Sequence, residues 1–205
     1  MLAVRLILAN SVAIKRLKSD KETKMNRSIK FKLKNGEIVT IRRLNPDDYD
    51  AFAKFNKDFA NGPSAKMNFE YPGAPIESKE QLVKAWTNQN NLYIAAFDGN
   101  KVVGYAQIRK LMVGHPFSAR NAITGTSILE KYTSNGLGTK FKTIIEKWAR
   151  ENNVHKLEAE TFQKNMRSIG NLLKNGYEIV GVSHDVAFID GEYYHQYNLE
   201  KILEQ

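Results

Sequence analysis

Ile128-Leu-Glu-Lys-Tyr-Thr-Ser-Asn-Gly136-Leu-Gly138-Thr-Lys140 is the stretch on which the fold of this chain turns. A strand ends there, a loop with two glycines follows, and a helix begins at once. Leu137, Phe141, Ile144, Ile145, Trp148 and Ala149 recur at helical spacing and give that helix one apolar face. Glycine lets backbone N–H groups turn toward a ligand without a Cβ in the way. The helix N-terminus adds orphan donors and a partial positive charge, and the two together form a phosphate cradle. Two glycines in a short loop can also make a plain tight turn; the strand and helix on either side favour an anion site. Two nucleotide motifs fail here. Gly-x-x-x-x-Gly-Lys-Ser/Thr does not occur, and Gly138 is followed by Thr139, Lys140 and Phe141, so a third Rossmann glycine is missing.

Upstream, Ile29, Phe31 and Leu33 alternate with lysines, Asn35-Gly36 supplies a turn, and Ile38 to Ile41 returns, which predicts a hairpin. Asn45-Pro46 opens a helix with an apolar face of Phe52, Phe55 and Phe59. Three prolines and two glycines make Asn61–Pro75 a loop, and Ser78-x-x-Gln81 is a capping box for a second helix. Leu92–Phe97 and Val102–Leu111 are strands joined at Asp98-Gly99, with a third strand over Ala122–Leu129. Downstream of the quoted helix, Val154–Phe162 reads as a strand and Asn165–Lys174 as a short helix ended by Gly176. Strands at Tyr177–Val182, Val186–Ile189 and Tyr194–Leu199 complete the order. Runs of hairpins with interspersed helices predict an α+β fold: a central mixed, mostly antiparallel sheet flanked by about four helices.

Composition narrows the function. The 205 residues hold 42% hydrophobic residues, enough for one packed domain, here residues 26–205. Cysteine is absent, which excludes disulfides, a thiol nucleophile and Cys-ligated metals and fits a reducing, cytoplasmic setting. His115, His155, His184 and His195 lack metal-ligand spacing, so no metal is expected, and no Gly-x-Ser-x-Gly elbow occurs. Leu6 to Ile14, the longest charge-free run near the N-terminus, is nine residues, where a membrane span needs about 20. Of the net charge of +9, residues 1–25 carry +4. Their basic cluster follows the apolar stretch, the wrong order for a signal peptide. They resemble an organelle presequence only weakly and read as a mobile extension. Deleting residues 1–24 is accordingly expected to leave melting temperature and ligand binding intact; a large drop in melting temperature would place them in the core. The remainder carries no basic stripe with interleaved aromatics, so nucleic acid is not the expected partner.

Residues 37–200 resemble the GCN5-related N-acetyltransferase (GNAT) superfamily. Thr133-Ser-Asn-Gly136-Leu-Gly138 corresponds to its Arg/Gln-x-x-Gly-x-Gly/Ala loop. Asn165-x-x-Ser168 and Lys174-x-Gly176-Tyr177 correspond to its Asn-x-x-Ala/Ser and Lys-x-Gly-Phe, and the order of elements matches almost end to end. A looser similarity to alanine N-terminal acetyltransferases of ribosomal proteins supports the superfamily rather than that subfamily.

The resemblance implies acetyl-CoA as co-substrate, in a cleft between the strand ending near Leu129 and the strand Leu157–Phe162. It implies that backbone groups near Ile128 pair with the pantetheine and polarise the thioester, an oxyanion-type role. Amides of Asn135, Gly136, Leu137, Gly138 and Thr139 would hold the pyrophosphate, and Asn165 the pantetheine or its ordered water. Thr133 departs from the family's Arg/Gln; its contact is either lost or supplied by Lys131 or Lys140, which otherwise are solvated lysines. Glu160, five residues before Asn165, matches a position where several members carry a basic carboxylate. Strand alternation puts Glu158 and Glu160 on one face and Leu157, Ala159 and Thr161 on the other; the plain alternative is two solvent-facing glutamates. Leu172 stands where the family often has a tyrosine acid, so the thiolate leaves unassisted or takes its proton from Tyr177 or another group. The expected activity is direct acetyl transfer to a primary amine, a small molecule or a protein N-terminus, and a homodimer is compatible with it. A non-catalytic acyl-CoA sensor is the rival, motivated by Leu172, and a basic nucleic-acid-binding module stands third.

Overall fold

The computed structural model describes residues 28–203; the extension expected over 1–25 lies outside the described residues. Eight strands form one sheet: β1 Ile29–Lys32, β2 Ile38–Arg43, β3 Asn91–Asp98, β4 Lys101–Lys110, β5 Asn121–Ile128, β6 Lys156–Phe162, β7 Glu178–Ile189 and β8 Glu192–Ile202. Their spatial order is β1-β2-β3-β4-β5-β6-β8-β7. Every neighbouring pair is antiparallel except β5 with β6. Four α-helices pack on it: α1 Tyr49–Ala60, α2 Lys79–Thr87, α3 Leu137–Glu151 and α4 Met166–Lys174. The expected α+β sheet with four helices is what forms.

Both faces of the sheet are covered, and β3 shows why. Leu92, Ile94 and Ala96 join Phe141, Ile145 and Trp148 of α3 in one cluster, which also takes in Leu172 of α4. Tyr93, Ala95 and Phe97 join Phe52 and Phe55 of α1 and Trp86 of α2 in the other. A strand covered on both sides reads as an unbroken apolar run, as this one does. Each fully buried large side chain here contributes about 1.5–3 kcal/mol.

Helix starts follow their caps. Asn45 and Asp48 form a reciprocal capping box around a 3-10 turn at Pro46–Asp48 that leads into α1, and Arg42 grips Asp48 through two 2.6 Å hydrogen bonds. Ser78 and Gln81 do the same for α2. Two local expectations change. The β1–β2 connection is Leu33–Glu37 rather than a two-residue turn: Gly36 N–H donates to the Leu33 carbonyl at 2.9 Å, Leu33 N–H donates to the Glu37 carbonyl at 2.8 Å, and Gly36 takes left-handed backbone with φ of 93°. The strands expected at 177–182 and 186–189 are one bulged strand, β7, whose register shifts between Ser183 and Ala187. Asp185, with φ of 53°, absorbs that shift and donates its N–H to His195 Nδ1.

Candidate active site

β5 and β6 pair at only three positions, Asn121 with Lys156, Ala122 with Leu157 and Ile123 with Glu158. Beyond Ile123 both strands continue without pairing, so the sheet forks. Thr124 marks the crotch: its Oγ1 hydrogen-bonds the Glu158 carbonyl at 3.1 Å and lies 3.4 Å from the Tyr177 hydroxyl. A cleft of about 800 Å³ fills the fork, lined by residues 124–128 of β5 and 159–162 of β6. Lys142, Asn171 and Leu172 border it from the α3–α4 side, and Phe59, Glu70 and Tyr105 from the α1–α2 side. The cleft therefore passes through the sheet from one face to the other.

The glycine loop closes one mouth. Ser134 and Gly136 both adopt left-handed backbone, with φ of 60° and 86°; turns of this kind aim successive N–H groups into a concavity. Gly136 is the N-cap of α3, and no side chain caps that helix or places an acid in its first turn. The first-turn N–H groups stay available to an anion. Leu137 sends its side chain into the core and Asn135 hydrogen-bonds the Thr133 carbonyl; of the loop, Ser134, Gly136, Gly138 and Thr139 line the cleft and these two do not. Thr133 lines the cleft while its hydroxyl donates to the Glu130 carbonyl. Thr139 Oγ1 accepts from Asn171 Nδ2 at 3.1 Å, which ties α3 to α4 across the mouth.

Gly138 packs against Asn171 of α4. A Cβ there would lie 3.4–3.5 Å from the Asn171 carboxamide, an ordinary contact, and no left-handed backbone demands glycine. Alanine is therefore expected to be tolerated. Gly138→Val pushes methyls into Asn171, breaks its bond to Thr139 and shifts the first turn of α3. Affinity for acetyl-CoA, measured by calorimetry, is expected to fall more than about tenfold in the valine variant. Equal affinities for wild type and valine variant would remove this loop from the binding site.

Neither lysine considered as a substitute for the absent Arg/Gln side chain reaches the cleft. Lys131 pairs with Glu37 at 3.1 Å, and Lys140 lies over the Phe31 ring. Lys34 does line it, and its backbone N–H donates to the Asn135 carbonyl at 3.2 Å. Asn165 lines the cleft too, with both of its polar atoms engaged: Oδ1 accepts from Ser168 N–H as the cap of α4, and Nδ2 donates to the Met67 carbonyl.

Glu158 and Glu160 share a face of β6, as alternation requires. Glu158 is occupied by Lys156 at 3.2 Å and by Asn121 at 2.9 Å. Glu160 lines the cleft, exposed, and has no hydrogen-bond or ion-pair partner among the described residues. The same face carries Phe162, whose ring meets Phe69 at 4.1 Å. Thus the Asn61–Pro75 loop roofs this side, pinned by Phe69, by Met67 through Asn165, and by Ser64 through Glu130 and Arg167. The Arg167 guanidinium holds the Glu130 carboxyl below its usual range. Glu70 in that loop was not visible as a site residue from sequence. Burial raises its carboxyl, and it lines both the cleft and a second cavity of about 630 Å³ on the α1–α2 side. Tyr105 also borders both; burial, with Glu70 nearby, pushes its hydroxyl up to about 12.

The residues present fit an acyl-CoA. Thr126 Oγ1, in the cleft wall, is buried without a partner in the protein; the β5 edge beyond Ile123 has no strand beside it; and the loop amides and Lys34 suit an anion. Among the described residues no group of His, Asp or Glu is arranged to hold a metal, and no helix is long and apolar enough to cross a membrane.

Comparison with known proteins agrees with this architecture. The family model "Acetyltransferase (GNAT) domain" matches residues 41–197. A GNAT-family acetyltransferase from Streptococcus pneumoniae superposes with TM-score 0.72 at 19% identity, covering 81% of this chain and 99% of that one. A ribosomal-protein-alanine N-acetyltransferase from Brucella melitensis gives 0.66 at 22%, covering 80% and 99%. A phosphinothricin acetyltransferase from Sinorhizobium meliloti, in complex with AcCoA, gives 0.67 at 15%, covering 80% and 88%. No curated protein matches the sequence. With the family model spanning most of the chain and the forked sheet in place, the chain belongs to the GNAT acetyltransferase family.

Proposed function

We propose that this chain moves an acetyl group from acetyl-CoA to a primary amine by direct transfer. The observation that carries the reading is the cleft through the sheet, which joins an uncapped helix N-terminus on one side to unpaired carboxylates on the other. Amides of residues 135–139 bind the pyrophosphate, and Lys34 adds positive charge. The free edge of β5 near Ile128 pairs with the pantetheine, and its N–H groups polarise the thioester carbonyl. The acceptor arrives from the α1–α2 side. Its ammonium gives a proton to Glu160, directly or through water; the free amine then attacks the carbonyl carbon, the C–S bond breaks, and the surplus proton on nitrogen passes to the departing thiolate, which leaves as free CoA. Glu70 is the second base to consider, because its raised carboxyl is the better match for accepting a proton near neutrality. The structural relatives include enzymes named for a ribosomal-protein alanine and for phosphinothricin, so both a protein N-terminus and a small amine belong among the acceptors to try.

A binding-only acyl-CoA sensor is the second reading, favoured by Leu172, which lies in the core at the usual tyrosine position. Release of CoA thiol by the purified protein against a panel of small amines and N-terminal peptides decides between them. Turnover on any amine supports the transferase; acetyl-CoA binding without turnover on all of them supports the sensor.

A further inference from the structure

Lys142 is the ionisable group in the cleft that the transfer leaves unused. It occupies the sheet-facing stripe of α3 beside Phe141 and Ile145, only 7% exposed, and borders the same cleft as Thr124–Ile128. Its Nζ lies 5.5 Å from the centre of the Tyr177 ring and has no carboxylate partner among the described residues. The charged neighbours are otherwise committed or of the same sign. Glu146, one turn on, is held by Lys201 at 2.6 Å and Arg150 at 2.8 Å. Lys174 of α4 borders the cleft as a second cation. The Tyr177 hydroxyl, pushed up to about 12, stays neutral. Burial without compensation pushes the Lys142 ammonium down to about 8. At neutral pH roughly a tenth of Lys142 is then free amine, against well under a thousandth of an exposed lysine.

We propose that Lys142 is an internal acceptor, acetylated at Nζ by the acetyl-CoA bound in the cleft it borders. The inference rests on the acetyl-CoA reading above. The Nζ lone pair attacks the thioester carbonyl carbon, the N–C bond forms and the C–S bond breaks. The surplus proton on nitrogen passes to the departing thiolate, giving acetyl-Lys142 and free CoA. The product is uncharged, so its burial no longer opposes the fold, and each chain reacts once.

The test incubates the full chain with acetyl-CoA and no added amine. Intact mass and peptide mapping follow the modification, and calorimetry follows binding. The expected result is one acetyl group per chain, at Lys142, gained with a first-order rate independent of protein concentration. The rate should rise as pH goes from about 6 to about 9 and Lys142 loses its proton. Lys142→Arg, which keeps charge and length without a nucleophilic amine, should gain none at that position. Acetyl-CoA that binds while Lys142 stays unmodified, or reacts no faster than exposed lysines such as Lys147, overturns this inference and leaves the transferase reading standing. Failure to bind acetyl-CoA overturns both.

Discussion

Lys142→Met is expected to stabilise the protein at pH 7 by of order 3 kcal/mol, the largest effect of any single substitution considered. Moving a lysine from 10.5 in the open chain to about 8 in the fold means that the folded state disfavours the ammonium by that amount. Methionine has a similar length, no charge, and packs into irregular apolar space. The melting temperature should rise by roughly 6–12 °C for a chain of this size. The sign fixes the pH dependence. Below about pH 8 lysine is charged in both states, and the penalty is present in full. Between about 8 and 10.5 the folded lysine is neutral while the unfolded one still binds a proton, so wild type gains stability as pH rises. The advantage of methionine should shrink across that window and vanish above it. Equal melting temperatures at pH 7 would show that water or rearrangement solvates the ammonium.

Glu160→Gln is expected to lower the turnover number by roughly 10²-fold, the lower end for general acid–base catalysis. Glutamine keeps the size and some hydrogen bonding of Glu160 but cannot accept the ammonium proton. Acetyl-CoA affinity should barely change, because the proposed binding mode holds the cofactor by the loop amides on the other side of the sheet. The defect should narrow at higher pH, where more acceptor is already neutral. Full activity near neutrality would exclude Glu160 and direct attention to Glu70, whose glutamine variant would then carry the loss. Loss of acetyl-CoA binding would instead assign Glu160 a structural task.

What sequence could reveal about this site follows the range over which its residues act. The loop at Thr133–Thr139 and the helix behind it are contiguous, so periodicity and glycine spacing were enough to place them. Glu160 and Glu158 were placed on one face by strand alternation, but only the fold shows that Lys156 and Asn121 occupy Glu158 and leave Glu160 open. Lys34, Glu70 and Tyr105 reach the cleft from three distant segments, and nothing local marks them. Lys142 was hidden for a different reason. It sits beside Phe141 at the border of an apolar stripe, where a lysine ordinarily reads as solvated rim. Asn165 lines the cleft, and only the fold shows that its side chain also caps α4 and is tethered to Met67. The polar run Ser183-His-Asp185 reads as a break between strands, yet the bulged β7 carries it through.

The three-position seam between β5 and β6 has a mechanical consequence. Across it, the eight-stranded sheet is two slabs, β1 to β5 and β6 to β8 with β7, sharing fewer rungs than any hairpin in the molecule, the short first one included. A pantetheine arm lying along the free edge of β5 would act as a replacement rung, hydrogen-bonded where a strand is missing. Ligand binding should then splint the slabs together. Amide hydrogen exchange at Thr124–Ile128 and at Ala159–Phe162 should slow on adding acetyl-CoA, while the β3–β4 ladder, already fully paired, changes little.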